Sequence, residues 1–126
     1  KPAAVADYTP LNVSDNKIKK KDGDMSIALK RTKDIIGTLG EHKKEGQFIC
    51  GFSMETENVI ANSKDKLIKK NMDMIVANNV KVAGAGFGTD TNVVTIITGE
   101  DNIELPMMSK EDVASKILDF IMAKRR

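Results

Sequence analysis

Apolar residues fall in short blocks whose period changes along the chain, and the charged and glycine-bearing stretches between them mark the turns. Residues 47–52 (QFICGF) and 72–79 (MDMIVANN) contain nearly continuous apolar runs of strand length, the pattern of strands covered on both faces. Between them, residues 57–72 read as a helix, with Val59, Ile60, Ser63 and Leu67 turned toward the core. Residues 34–44 (DIIGTLGEHKK) predict a short helix, with Ile35, Ile36 and Leu39 near one face and Asp34 where a cap is wanted. Residues 92–106 (NVVTIITGEDNIELP) predict a β-hairpin turning around 99–102. Ser109 stands three residues before Asp112, a capping-box spacing, and Val113, Ile117, Leu118 and Ile121 form the apolar stripe of a last helix.

The N-terminal quarter is more polar. Residues 3–6 (AAVA) read as the end of a buried strand and 7–10 as the loop leaving it, because Pro10 lacks an amide donor and biases its predecessor toward extended backbone. Residues 16–24 predict a polar turn, a hairpin or flap, and 25–29 (MSIAL) a weakly alternating strand. Buried strands alternating with helices imply an α/β fold, a three-layer sandwich with a mostly parallel sheet and a late antiparallel hairpin. Ligands of such sheets bind at the carboxyl ends of the strands, here Asp7, residues 52–55 and Asn78.

Size and charge narrow the options. The 126 residues suffice for one compact domain, 1–126. The chain opens without methionine and directly in an apolar run, so a piece of a longer polypeptide is expected. A formal charge of +2 makes no general case for nucleic acid or membrane, and any electrostatic function must come from local clustering. With 4% aromatic residues and a single tyrosine, Tyr8, stacking platforms for single-stranded nucleic acid are few. No run approaches the roughly 18 apolar residues of a membrane span. The lone Cys50 has no partner for an internal disulfide, and a reducing cytoplasm is the default.

Clustering is where the sequence becomes specific. Lys17, Lys19, Lys20 and Lys21 crowd one turn, which suits either a solvated hairpin tip or a flap closing over phosphates. Like charges at about 6 Å repel by roughly 1 kcal/mol or less in water, so neither reading is strained. Lys66 and Lys70, four apart, share a face of the 57–72 helix, with Lys64, Asp65 and Lys69 around them. That too reads as a solvated face or as half of a polyphosphate site. No P-loop is present. The GAGFG of 84–88 follows a polar loop and opens into a strand, so it reads as a turn. His42, the one histidine, sits at a polar helix end, and Cys50 lies inside an apolar strand as a core thiol.

The stretches AAVADYTP…NKIKKK, GFSMETEN, KLIKKNMDMIVANNV and GFGTDTNVV, in that order, resemble the phosphopantothenoylcysteine synthetase family, the CTP-dependent phosphopantothenate–cysteine ligases of coenzyme A biosynthesis. The similarity runs through nearly the whole chain and implies a Rossmann-like domain. It also implies activation of the 4′-phosphopantothenate carboxylate by CTP as an acyl-cytidylate, which the cysteine amine then attacks. By resemblance, Lys17 is the catalytic lysine, and the nucleotide contacts are Ala3, Ala4, Asp7, Lys17, Lys33, Asp34, Ile35, Ile36, Phe52, Lys66 and Lys70. Mg²⁺ is implied beside the phosphates, with no ligands assigned by the sequence. FMN is implied only where the chain is fused to a flavin decarboxylase, and a homodimer is the expected assembly. The family's glycine-rich N-terminal part and its N-x-S-S-G-K stretch have no counterpart here, so the chain is expected to hold most CTP contacts without catalysing the full reaction alone. The alternative is a non-catalytic nucleotide-binding or regulatory domain on the same fold.

Overall fold

A computed structural model of the chain describes residues 4–80 and 91–125, and the chain divides into two units, Lys1–Ile35 and Ile36–Arg126. The first unit is built on one ribbon. Strand β1 (Tyr8–Pro10) pairs antiparallel with β2 (Leu29–Arg31), setting Tyr8 opposite Arg31 and Pro10 opposite Leu29. The Arg31 guanidinium lies 5.6 Å from the Tyr8 ring centroid, a cross-strand cation–π pair that helps fix the register. The ladder continues at both ends, where the Leu11 N–H donates to Ala28 O and the Thr32 N–H to Asp7 O, each at 2.9 Å.

Three expectations for this region are corrected. Ala4, Val5 and Ala6 are exposed and form no strand, and Ala3 lies outside the described residues. Alanines offer a sheet little side-chain surface, whereas the Tyr8–Arg31 pair gives the next residues a reason to pair. Residues 8–10 are therefore strand rather than loop, and Pro10 is tolerated because a two-stranded ribbon is all edge. The strand expected at 25–29 begins only at Leu29. Residues 16–24, expected as a polar turn, lie within the exposed 11–28 connection between the two strands.

The second unit follows the apolar pattern, with the strand expected at 47–52 found instead at Cys50–Glu55. Its elements are α1 (Ile35–Glu41, whose first residue belongs to the other unit), β3 (Cys50–Glu55), α2 (Val59–Lys69), β4 (Met74–Asn79), β5 (Thr91–Asn92), β6 (Val94–Thr98), β7 (Asn102–Glu104), β8 (Met108–Ser109) and α3 (Lys110–Arg125). The main sheet has the order β3-β4-β6-β7. It is parallel at β3–β4, where Cys50 faces Met74 and Glu55 faces Asn79, and antiparallel at β4–β6 and at the β6–β7 hairpin. β5 and β8 form a separate two-residue antiparallel ladder just ahead of α3.

Successive residues of a strand face opposite sides, so the continuous run of β4 serves two cores. Met74 and Val76 join Val94, Ile96 and Leu105 under Val113 and Ile117 of α3. Ile75 and Ala77 join Ile97 under Leu67 of α2 and Met72, with half-buried Ile36 and Val59 against them. Full burial of each large aliphatic side chain contributes on the order of 1.5–3 kcal/mol, so this double-faced strand anchors the unit. The result is the three-layer α/β arrangement that the alternation predicts, but in the described main sheet only β3–β4 is parallel and the other two pairings are antiparallel.

The helix ends follow local rules. α2 closes in a Schellman turn: the Met72 N–H donates to Leu67 O at 2.9 Å and the Asn71 N–H to Ile68 O at 3.2 Å. Asn71 takes the left-handed conformation (φ 52) that this motif needs. α3 is capped by Ser109, whose Oγ accepts the Asp112 N–H at 3.0 Å. Ile60 and Leu118, expected to face the core, are exposed. In each case a neighbour one position away, Val59 or Ile117, occupies the inward direction. The GAGFG turn at 84–88 lies outside the described residues.

Candidate functional site

β3 separates its side chains into two environments. Gly51, Ser53 and Glu55 are buried on the α2 side, whereas Phe52 and Met54, on the opposite side, are exposed, Phe52 by 68%. The α2 side is apolar near the start of the strand, where a Cβ added at Gly51 would meet the Met72 sulfur and an Ile36 methyl. It becomes polar toward the carboxyl end.

That polar end is built in two steps. The Ser53 and Ser63 hydroxyls share a hydrogen bond of 3.1 Å between strand and helix, with Ser63 fully buried. Two residues further along β3, Lys66 Nζ donates to Glu55 Oε1 at 2.6 Å. Lys66 lies three residues after Ser63, on a helix that returns the chain toward the start of β4. Its ammonium nevertheless reaches the strand's end, because helical side chains lean toward the helix N-terminus. Asn78 of β4 closes the end of the parallel pair by donating to Ser53 O at 3.4 Å. The pair is asymmetric: Glu55 retains 9% of its surface, while the Lys66 side chain is 45% exposed.

Lys70 follows one turn later on the same face, half-buried at the C-cap of α2. Its backbone is tightly placed. A Cβ on Gly40, the buried glycine of α1, would overlap the Lys70 carbonyl oxygen. Asn71 Nδ2 donates to Gly40 O at 2.9 Å. Glycine at position 40 thus lets the ends of α1 and α2 touch directly beneath Lys70.

In the first unit, the Thr32-to-Asp7 backbone bond brings Asp7 to the same open end of the ribbon as Lys33 and Asp34. Ala4 is exposed just before it, and Ile35 is half-buried. Lys17 sits in the 11–28 connection, exposed together with Lys19, Lys20 and Lys21. Ile36, grouped with these residues by resemblance, is half-buried and packs against the apolar cluster of Leu67, Met72 and Ile75 in the second unit.

Two residues to which the sequence alone assigns no role, Ser53 and Glu55, belong to this β3–α2 site in the second unit. The usable signal was pattern: Ser53 and Glu55 fall on the inward side of a strand, opposite Ser63 and Lys66 on one helix face. Among the described residues no group of three or more His, Cys, Asp or Glu side chains gathers to hold a metal. Burial pushes the Cys50 thiol up to about 11, the value of an inert core thiol. No helix among the described residues is long and apolar enough to cross a membrane.

Comparison with known proteins places the chain in a family. The family model described as "DNA/pantothenate metabolism flavoprotein C-terminal domain" matches residues 1–124. The chain is 54% identical over 124 residues to the coenzyme A biosynthesis bifunctional protein CoaBC of Bacillus subtilis (strain 168), covering 98% of this chain and 30% of that protein. It therefore spans about 30% of the length of that curated relative. A solved structure of the C-terminal domain of a CoaBC protein is 47% identical, with a TM-score of 0.66 over 76% of this chain and 46% of that one. The DNA/pantothenate metabolism flavoprotein from Streptococcus pneumoniae shares the fold, with a TM-score of 0.74 over 96% of this chain and 60% of that one, at 23% identity. The chain belongs to the DNA/pantothenate metabolism flavoprotein C-terminal domain family.

Proposed function

We propose that this chain is the nucleotide-binding part of a CTP-dependent phosphopantothenate–cysteine ligase acting in coenzyme A biosynthesis. The observation that carries the reading is Lys66, whose ammonium is held half-exposed at the carboxyl end of β3, where α/β sheets take their ligands. The similarity to CoaBC over 98% of the chain supports the pathway.

Lys66 and Lys70, one helical turn apart, bind the phosphate chain as point charges. Phe52, exposed on the opposite face of β3, packs against the nucleoside. Asp7, Lys33 and Asp34 at the ribbon's open end, with Ala3, Ala4, Ile35 and Ile36, complete the nucleotide contacts. Lys17, on the polar connection, follows the negative charge that grows on the phosphates as the phosphopantothenate carboxylate attacks the α-phosphorus and pyrophosphate departs. The cysteine amine then attacks the acyl carbon, and CMP leaves.

Mg²⁺ sites on nucleotides use one or two carboxylates plus phosphate oxygens, and exposed Asp7 fits that modest requirement. Asp7 would hold the ion, which supplies neutralisation of the phosphate charge. Where the chain is joined to a flavin decarboxylase, the FMN belongs to that other domain. The active assembly is a homodimer in the cytoplasm.

The test is cytidylate formation from CTP and phosphopantothenate by the full-length protein. Lys17→Gln lowers the rate by about 10²–10³, the size of one lost transition-state contact. A full-length protein that binds CTP, forms no cytidylate and is indifferent to Lys17→Gln is instead a regulatory nucleotide-binding domain.

A further inference from the structure

The boundary between β3 and α2 is apolar at one end and holds a carboxylate at the other. Burying a carboxylate is costly, and an isolated lysine partner half in solvent recovers little of that cost. A hydrophobic side chain at position 55 would serve the packing of α2 on β3 at least as well. The asymmetry has a direct consequence. Glu55 is rooted in the sheet, and Lys66 is the member presented to solvent. An ammonium carries three donors, and one is committed to Glu55 Oε1 at 2.6 Å. The remaining two are free to point away from the carboxylate. Lysine has a long stem with much rotamer freedom, which a ligand would otherwise have to freeze.

We infer that Glu55 is a positioning residue for nucleotide phosphate. By holding Lys66 at the carboxyl end of β3 before the ligand arrives, it aims that ammonium's other donors at an incoming polyphosphate. The Ser53–Ser63 hydrogen bond supports the arrangement from below, fixing the α2 turn that carries Lys66 against the strand that carries Glu55. The inference rests on the reading of Lys66 as a phosphate ligand. Glu55 itself touches no substrate, and its influence passes through Lys66 alone.

That last property gives the test. In the full-length protein, KM for CTP and kcat for pyrophosphate release are measured for Glu55→Gln, Lys66→Gln and the double variant. Glu55→Gln is expected to raise KM about tenfold while kcat at saturating CTP stays within about twofold, the signature of lost ground-state positioning. Lys66→Gln raises KM at least as much, and the double variant is no worse than Lys66→Gln within about twofold. Far-UV circular dichroism and melting follow the fold. If Glu55→Gln is unfolded, Glu55→Asp, which withdraws the carboxylate by one methylene, carries the same prediction at about threefold.

Effects of the two single variants that multiply in the double variant overturn the inference, as does CTP binding unchanged or tightened by a folded Glu55 variant. An unchanged KM in Lys66→Gln overturns it by removing its premise. The Lys17→Gln cytidylate assay then reports separately on whether the ligase reading stands.

Discussion

Replacing Gly40 with alanine tests whether the floor beneath Lys70 is as tight as the geometry requires. The added Cβ would overlap the Lys70 carbonyl oxygen and come into contact with the Asn71 Cβ. The obstacle is backbone, so no rotamer change relieves it, and α1 must withdraw from the end of α2. Overpacking of this kind costs about 1–3 kcal/mol. Withdrawal also stretches the 2.9 Å bond from Asn71 Nδ2 to Gly40 O, worth about 1 kcal/mol. Alanine returns up to about 1 kcal/mol through its helix propensity. The net expectation is a loss of about 1–3 kcal/mol. In urea denaturation, with slopes of about 1–3 kcal/mol per molar, the midpoint falls by about 1 M. Gly99→Ala is the control, because nothing lies within 4 Å of its Cβ position, and it should stay within about 0.5 kcal/mol of the parent. A Gly40→Ala midpoint equal to or above the parent would refute the packing argument and with it the account of how Lys70 is placed.

Asp73 offers a second stability test. It accepts the Ile49 N–H at 2.8 Å and pairs with Lys43 at 3.3 Å, so Asp73→Ala strands a donor at the entry to β3 and should cost about 1–3 kcal/mol in the same denaturation assay. Cys50 supplies a pH test. Its thiol is raised from 9.0 to about 11 by burial, so its contribution is complete below pH 9 and is lost as pH rises through about 11. At pH 8 iodoacetamide should therefore alkylate the folded protein far more slowly than the urea-unfolded chain, and equal rates would contradict burial of the thiol.

The second unit was largely legible in the sequence because its longer strands and helices carry a clear period, whereas the two-residue β5 and β8 carry none. The run at 74–77 has no polar interruption and strand rather than helix length, which favours a strand buried on both sides, and the hairpin turn at Gly99 is marked by its own chemistry. The first unit was not legible in this way. AAVA looks buried because its residues are apolar, but they contribute little surface, and the register is set instead by Tyr8 and Arg31 across the ribbon. The site was partly legible: the i,i+4 spacing of Lys66 and Lys70 could be read directly. The partner of Lys66 could not, because Glu55 and Lys66 meet only after α2 folds back along β3, a tertiary event with no local sequence mark.

The claim on which the functional account turns is that Lys17, Lys66 and Lys70 bind the phosphate chain of a single nucleotide. The most direct measurement is a crystal structure of the full-length protein with a non-hydrolysable CTP analogue. The account predicts all three ammonium groups within hydrogen-bonding distance of phosphate oxygens, whether from one subunit or two, with Lys66 still bonded to Glu55. A nucleotide bound elsewhere, or phosphates that none of these lysines reaches, would contradict it.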